Sequence, residues 1–150
     1  MNKELLSPVS WDEVEVMVGN LADKIVLSGF LPTMIAPIPR GGWVVATLLA
    51  QLLDIKKAVA IAQDKSGSKR NTYLSSEQKL KGERILVIED SIETGKSLFE
   101  ASACVSELGA ETRTVAILVS PTSTLKPDFF LETKPIPNFP WDIGQPIQSK

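Results

Sequence analysis

One short stretch of the chain, residues 85–97, combines side chains that can bind a phosphate with side chains that can bind a sugar. It begins with an apolar run typical of a buried strand, which ends in the carboxylates of Glu89 and Asp90. The residues that then open a predicted helix are Thr94, Gly95, Lys96 and Ser97. A helix N-terminus offers free amides and a positive dipole end, so we expect a phosphate to bind there.

The two acids at the strand end need a different partner, because a carboxylate repels a phosphate. Carboxylates accept hydrogen bonds from vicinal hydroxyls, and their oxygens also ligate Mg²⁺. A phosphate at one end of the segment and a sugar diol at the other describe a ribose 5-phosphate, with Mg²⁺ as the expected cofactor.

Three other interpretations fit parts of the same segment. Gly95-Lys96-Ser97 is similar to the end of a P-loop, but Asp90 occupies the position of that motif's first glycine. The acidic strand end is similar to the start of a receiver domain, although only about 60 residues follow it, too few to complete such a domain. A buried strand and a capped helix without a ligand would leave the run of acids unexplained.

Alternating helices and strands must position this segment. Ser10 and Glu13 form a capping box, which predicts a helix whose apolar face carries Val14, Val18, Leu21 and Ile25. The pattern predicts strands at residues 34–38, 56–62, 84–89 and 114–119, and helices at residues 43–53 and 97–108. This alternation predicts an α/β fold with a parallel sheet covered on both faces.

Two segments depart from the alternation. Residues 63–81 are polar and lack periodicity, which is typical of either a mobile lid or a tolerated surface insertion. From Pro121 the chain becomes rich in proline but keeps several aromatic residues. We expect one domain over residues 1–150, with a core at about residues 10–120 and a small hood at about residues 121–150 that folds over the end of the sheet.

Composition excludes several classes of function. The chain has no histidine, which excludes Ser-His-Asp triads and the usual zinc sites. Its one cysteine, Cys104, cannot form an internal disulfide and is expected in the core. The formal net charge is −2 with no basic excess, and no apolar stretch is long enough to span a bilayer. We therefore expect a cytoplasmic protein that binds neither nucleic acid nor membrane.

Residues 85–97 resemble the 5-phosphoribosyl 1-pyrophosphate signature of type I phosphoribosyltransferases, with an apolar strand, two acids, and Thr-Gly followed by a hydroxyl residue two positions on. Residues 35–42, which end in Arg-Gly-Gly, look like that family's pyrophosphate loop. Residues 139–142, Phe-Pro-Trp-Asp, are similar to the C-terminal segment of the bacterial xanthine-guanine enzymes. The resemblance implies the type I phosphoribosyltransferase fold, a central parallel sheet flanked by helices with a small C-terminal hood.

The resemblance also implies roles for the matched residues. Glu89 and Asp90 would bind the ribose hydroxyls of phosphoribosyl pyrophosphate, with Asp90 also at the magnesium ion. The 5-phosphate would be held by Thr94, Gly95, Lys96 and Ser97. The pyrophosphate would be bound by Pro39, Arg40 and Gly41, with a non-proline cis peptide bond before Arg40. Residues 64–78 would close over the site and exclude water.

The implied reaction transfers the phosphoribosyl group to a purine-like base, preferably a 6-oxopurine, releases pyrophosphate and serves purine salvage. Glu93 occupies the position of the acid that accepts a proton from the base in the purine enzymes, so Glu93 and Arg40 would be the catalytic residues. Glu93 would also belong to the residues that bind phosphoribosyl pyrophosphate. The family also implies a homodimer or homotetramer.

The base-binding half departs from the family's pattern. Glu93 stands in place of the usual aspartate, and Ser120 stands where the xanthine-guanine enzymes carry a lysine. Ile136 and Pro137 match the positions of a tryptophan and an isoleucine in the base pocket. A non-catalytic module that binds phosphoribosyl pyrophosphate or a nucleotide as a regulator therefore stays open. Adenine, orotate and uracil enzymes are disfavoured, because they do not usually place an acid just before Thr-Gly.

Overall fold

Helices and strands alternate along the chain in the computed structural model, which describes residues 6–66, 69–74 and 80–148. The helices of these ranges are α1 Trp11–Leu27, α2 Gly41–Leu52 and α3 Lys96–Glu107. The strands are β1 Met34–Pro37, β2 Ile61–Ser66, β3 Lys69–Leu74, β4 Arg84–Ile88, β5 Ser91–Ile92, β6 Glu111–Val115, β7 Leu118–Val119 and β8 Glu132–Thr133. No helix of the described ranges is long and apolar enough to cross a membrane.

A parallel sheet lies at the centre of the fold. Its first part has the strand order β1-β4-β6, and a second parallel part has the order β5-β7-β8. The two parts are joined by backbone hydrogen bonds of 2.9 Å, from the Glu89 N–H to the Val115 carbonyl and from the Ile117 N–H to the Asp90 carbonyl. The prediction of a parallel α/β sheet is therefore confirmed.

Strand β4 carries the centre of the core because its side chains alternate between the two faces of the sheet. Ile85 and Val87 pack in the cluster that contains the buried face of α3. Leu86 and Ile88 pack in the cluster that contains the buried faces of α1 and α2. All four side chains are fully buried, which explains why the sequence of β4 reads as a continuous apolar run.

Helix α1 begins at the capping box that the sequence predicts. The Ser10 hydroxyl accepts a hydrogen bond of 3.1 Å from the Glu13 N–H, and the Glu13 carboxylate accepts one of 2.7 Å from the Ser10 N–H. The hydrogen bonds from Ser10, the backbone one first, hold the pKa of Glu13 below its ordinary value. The predicted apolar face is buried against the sheet at Val14, Val18, Leu21 and Ile25.

The strand predicted at residues 56–62 is largely wrong. In this fully described stretch, Ala58 makes an isolated parallel bridge with Ile35, and the next strand, β2, begins only at Ile61. β2 continues into the polar segment and pairs antiparallel with β3. The two strands form backbone hydrogen bonds with each other, so the polar composition does not prevent strand formation.

The single strand predicted at residues 114–119 divides into β6 and β7. The interruption lies where the Ala116 N–H donates to the Phe129 carbonyl at 3.1 Å instead of pairing with β4. β7 then pairs with β5 on one side and with β8 on the other. The strand is divided because its partner changes from β4, which pairs with β6, to β5, which pairs with β7. The sequence pattern does not reveal this change of partner.

The C-terminal segment lies along the edge of the sheet and not only over its end. β8 pairs in parallel with β7, and Phe129 forms a parallel bridge with Val115. Beyond β8, Ile136 and Phe139 are buried in the same cluster as α1 and α2. Apolar side chains on this segment therefore complete the main core.

Cys104 is half-buried and not in the core, contrary to expectation. The buried face of α3 runs through Leu98, Ala101 and Val105. Cys104 lies beside this face and not on it.

Two glycine substitutions should have opposite effects on stability, because only one of the two glycines lies where α2 approaches β4 closely. A Cβ at Gly42 would overlap the Ile88 carbonyl oxygen, whereas a Cβ at Gly19, inside α1, meets no atom within 4 Å. We expect Gly42→Ala to lower the free energy of unfolding by about 1–3 kcal/mol through overpacking. Gly19→Ala should raise it by about 0.5–1 kcal/mol, because alanine favours a helix. Urea denaturation measures both, and stabilisation by Gly42→Ala would contradict the close approach.

Glu83, just before β4, predicts a pH-dependent contribution to stability. A hydrogen bond from Lys57, and then one from Thr33, hold the pKa of Glu83 below its ordinary value. The stabilisation is therefore present above the unfolded pKa of about 4.3 and is lost as pH falls through the folded value. Glu83→Gln should lower the free energy of unfolding at neutral pH by at most about 1 kcal/mol, and less in acid.

Urea denaturation over a pH series tests this expectation. Asp54→Asn is the control, because Asp54 pairs with Lys56 at 3.8 Å with both side chains more than four-fifths exposed, at 88% and 85%. An effect of Glu83→Gln that stays constant into acid would contradict the assignment.

Candidate functional site

The acids Glu89 and Asp90 lie at the carboxyl end of β4, and both are half-buried. One oxygen of the Asp90 carboxylate, Oδ1, accepts a hydrogen bond of 2.7 Å from the Ser91 N–H. The other, Oδ2, accepts one of 2.8 Å from the indole Nε1 of Trp141. Asp90 is thus oriented from both sides at the edge of the sheet where ligands of parallel α/β folds bind.

The turn between β5 and α3 forms the second part of the site. Gly95 has a left-handed backbone with φ +87° and precedes the first residue of α3. A Cβ at Gly95 would lie 2.8 Å from the Cβ of Leu125, so a side chain there would be crowded as well as strained. The Thr94 hydroxyl accepts from the Lys96 N–H at 3.3 Å, while the Thr94 and Lys96 side chains remain exposed. Ser97 follows in the first turn of α3 and is half-buried.

The loop between β1 and α2 reaches the same edge of the sheet. The Pro39–Arg40 peptide bond is cis, as the resemblance implies. Pro39 and Arg40 are exposed, and a Cβ at Gly41 would overlap the carboxylate of Asp90. The predicted pyrophosphate loop and the predicted ribose acids are therefore in contact, because β1 and β4 are adjacent parallel strands.

A cavity of about 560 Å³ lies beside this edge and brings three of the predicted catalytic and base-binding residues together. Its lining residues are Leu6, Glu93, Ser120, Pro121, Thr122, Pro135 and Ile136. The Ser120 hydroxyl lies 2.8 Å from the hydroxyl of Thr122. Pro137 is buried but is not among the lining residues.

Hairpin β2–β3 is connected to the helix that opens at Gly95. The Gln63 side-chain amide donates to the Ser97 carbonyl at 2.9 Å and lies 3.3 Å from the Thr72 hydroxyl. The predicted lid at residues 64–78 overlaps this hairpin, but residues 67–68 and 75–79 lie outside the described chain. The described part of the lid thus belongs to a hairpin that Gln63, just before the lid, connects to the first turn of α3.

The donor chemistry at the end of β4 fits Mg²⁺. Within the described ranges, no group of three or more histidine, cysteine, aspartate or glutamate side chains converges as a metal site. Glu89 and Asp90 instead present two adjacent half-buried carboxylates. Mg²⁺ commonly takes one or two carboxylates and completes its octahedron with waters and substrate phosphate oxygens. These residues suit a magnesium ion that is held jointly with a polyphosphate substrate.

Sequence reasoning missed three residues that the fold brings to this region. Leu6 lines the cavity, although the N-terminal residues carry no motif. Gln63 lies in a polar stretch without periodicity, so nothing distinguished it from its neighbours. Trp141 belongs to the Phe-Pro-Trp-Asp segment, which indicated a position in the hood but not the hydrogen bond to Asp90.

Comparison with known sequences gives matches over most of the chain. Residues 10–147 match the family described as the phosphoribosyl transferase domain. An orotate phosphoribosyltransferase from Sulfurimonas denitrificans is 34% identical over 113 residues, which are 75% of this chain and 54% of that protein. The chain thus spans about half the length of this curated relative.

Comparison with solved structures gives matches over nearly the whole chain. A purine phosphoribosyltransferase from Pyrococcus horikoshii has a TM-score of 0.82 at 25% identity, covering 95% of this chain and 97% of that one. A xanthine-guanine-hypoxanthine phosphoribosyltransferase from Helicobacter pylori has a TM-score of 0.78 at 16% identity, covering 91% of this chain and 92% of that one. The predicted fold is confirmed by both.

Proposed function

This chain belongs to the phosphoribosyltransferase domain family, whose members are transferases of the glycosyltransferase class, and on that premise we propose that it transfers the 5-phosphoribosyl group of phosphoribosyl pyrophosphate to a 6-oxopurine. The reaction would release pyrophosphate and serve purine salvage. The observation that carries the proposal is the cavity of about 560 Å³, which Glu93, Ser120 and Ile136 line together beside the turn between β5 and α3.

The sugar and its phosphates would bind along the edge of the sheet. Glu89 and Asp90 would accept hydrogen bonds from the ribose hydroxyls. The backbone amides at the start of α3, with the side chains of Thr94, Lys96 and Ser97, would hold the 5-phosphate. Pro39, Arg40 and Gly41 would contact the pyrophosphate, and the Arg40 guanidinium would offset the charge that develops as it leaves.

Glu93 would act as the general base in the transfer. The bond between the anomeric carbon and the pyrophosphate oxygen breaks, its electron pair leaves with pyrophosphate, and a base nitrogen donates its pair to the oxocarbenium-like carbon. The Glu93 carboxylate then takes the proton that the base loses. Its exposure on the cavity wall leaves it accessible to a bound base.

Mg²⁺ is the proposed cofactor, with Asp90 as the proposed protein ligand and Glu89 beside it. When bound, it would neutralise charge on the leaving pyrophosphate. Location in the cytoplasm remains a prediction from the composition, and assembly as a homodimer or homotetramer remains a prediction of the resemblance.

Two observations favour a neutral purine over orotate. The described residues that line the cavity include the acid Glu93 and no lysine or arginine, so an orotate carboxylate would meet a like charge without a partner. In addition, the match covers 97% of the Pyrococcus horikoshii purine enzyme but only 54% of the orotate enzyme. Orotate stays the second candidate, because the curated relative at 34% identity is an orotate enzyme.

We expect turnover with phosphoribosyl pyrophosphate, Mg²⁺ and at least one of guanine, hypoxanthine and xanthine, measured spectrophotometrically beside adenine and orotate as controls. Turnover with orotate alone would replace the 6-oxopurine proposal. Tight calorimetric binding of phosphoribosyl pyrophosphate without turnover of any base would favour the regulatory module. No binding would contradict both.

Glu93→Gln should lower kcat for the preferred base by about 10²–10⁴-fold, because the amide cannot accept the proton. Binding of phosphoribosyl pyrophosphate should be largely preserved, since Glu93 lines the cavity proposed for the base and the substitution leaves Glu89, Asp90 and the start of α3 unchanged. Kinetics and calorimetry measure the two effects separately. Glu107→Gln, an exposed position at the end of α3, is the matched control. Full activity of Glu93→Gln would show that Glu93 is not the base.

A further inference from the structure

We propose that Trp141 is a positioning residue whose indole N–H orients the Asp90 carboxylate for the ribose hydroxyls and the magnesium ion, an inference that rests on the proposed function. The indole Nε1 donates to Asp90 Oδ2 at 2.8 Å, while the Ser91 N–H donates to Oδ1 at 2.7 Å. Each carboxylate oxygen has a second lone pair, so both remain able to accept from a ligand. The two bonds therefore determine the direction of the carboxylate without blocking it.

Gly41 is the third member of this contact. A Cβ at Gly41 would overlap the Asp90 carboxylate and would lie 3.0 Å from Trp141 Nε1. The carboxylate thus occupies the space beside the pyrophosphate loop that a side chain would otherwise fill. Asp90 is confined by Gly41 on one side and by Trp141 on another, so its rotation toward the loop is restricted.

The indole is itself held in place by the aromatic rings around it. Its ring stacks on Phe139 with a centroid distance of 4.7 Å and an interplanar angle of 3°. It also contacts the Trp11 ring at 5.9 Å and 55°. The Phe139 ring is buried, and the Phe139 N–H donates to the Asp142 carboxylate at 2.7 Å. A donor held this rigidly stabilises a charged acceptor without reorganising when substrate arrives.

The C-terminal segment therefore connects the cavity proposed for the base with the acids at the end of β4. Ile136 lines the cavity proposed for the base, and Trp141 donates a hydrogen bond to Asp90. Both residues belong to the same short C-terminal segment. Anything that displaces this segment moves a wall of the cavity and removes a donor from Asp90 together. We therefore expect Trp141 to affect binding of phosphoribosyl pyrophosphate although it lies outside the signature segment.

Trp141→Phe tests the role, because it keeps an aromatic ring to stack on Phe139 and removes the N–H. Loss of a hydrogen bond to a charged group should raise the KM for phosphoribosyl pyrophosphate by roughly tenfold or more, with a much smaller change in the KM for the base. Trp11→Phe is the matched control, because Trp11 contacts the same ring but makes no bond to Asp90, and its kinetics should match the wild type.

Trp141→Leu separates positioning from packing. If Trp141 only fills space, the KM of Trp141→Phe for phosphoribosyl pyrophosphate will equal that of the wild type, and only Trp141→Leu will show a raised KM. That result would overturn the proposal. If the N–H matters, both variants will lose affinity for phosphoribosyl pyrophosphate, and the melting temperature of Trp141→Phe will stay near that of the wild type.

A measurement on the unaltered protein covers the case in which the variants do not fold. The three tryptophans give three indole signals in a ¹⁵N–¹H spectrum, and comparison with the Trp11→Phe and Trp43→Phe spectra assigns that of Trp141. Phosphoribosyl pyrophosphate with Mg²⁺ should shift this signal, and binding seen by calorimetry without a shift would overturn the proposal. Absence of any calorimetric binding would instead mean that the proposed function has failed.

Discussion

The close contact between the start of α2 and the carboxyl end of β4 sets the geometry on which the rest of the site depends. Gly42 lies against the Ile88 carbonyl, and Gly41 lies against the Asp90 carboxylate, so the helix approaches the strand as closely as the backbone allows. This approach is possible only because neither residue has a side chain. It places the exposed Arg40 and the carboxylates of Glu89 and Asp90 at the same edge of the sheet, as the proposed binding of phosphoribosyl pyrophosphate requires.

The charges along this edge are separated in a way that orients a substrate. The acids follow β4 directly, whereas the amide groups at the start of α3 come after the short strand β5 and the left-handed Gly95. An anion placed at the acids would be repelled, and one placed at the helix start would be attracted. In the proposed function, a sugar phosphate would therefore bind with its hydroxyls toward Asp90 and its phosphate toward Gly95.

The C-terminal segment joins these parts to the core. β8 extends the sheet beside β7, and Ile136 and Phe139 are buried in the cluster that holds α1 and α2. The same segment supplies a wall of the cavity proposed for the base and the indole that donates to Asp90. Burial of its apolar side chains provides the free energy that keeps the cavity wall and the indole N–H in place.

Local patterns in the sequence determined α1, β4 and the turn into α3. A capping box, a continuous apolar run and the Thr94-Gly95 pair each act over a few neighbouring residues, so their structure follows from short-range hydrogen bonding and backbone preference. The boundaries of β2 and the division between β6 and β7 did not follow, because strand limits depend on which partner pairs with each residue. The sequence also left the polar stretch at residues 63–81 open as lid or insertion, whereas its described part forms a hairpin.

The residues that share a site are distant in the sequence, and their proximity depends on the packing of the whole fold. Glu93, Ser120 and Ile136 line one cavity because parallel strands place their ends together, and nothing in their spacing along the chain determines that distance. The sequence places Trp141 in the C-terminal hood without indicating its partner, and the fold places its N–H on Asp90, 51 residues away. The physical reason is that a hydrogen bond depends on atomic positions that are set by the packing of the whole sheet, whereas a residue type records only which bonds are possible.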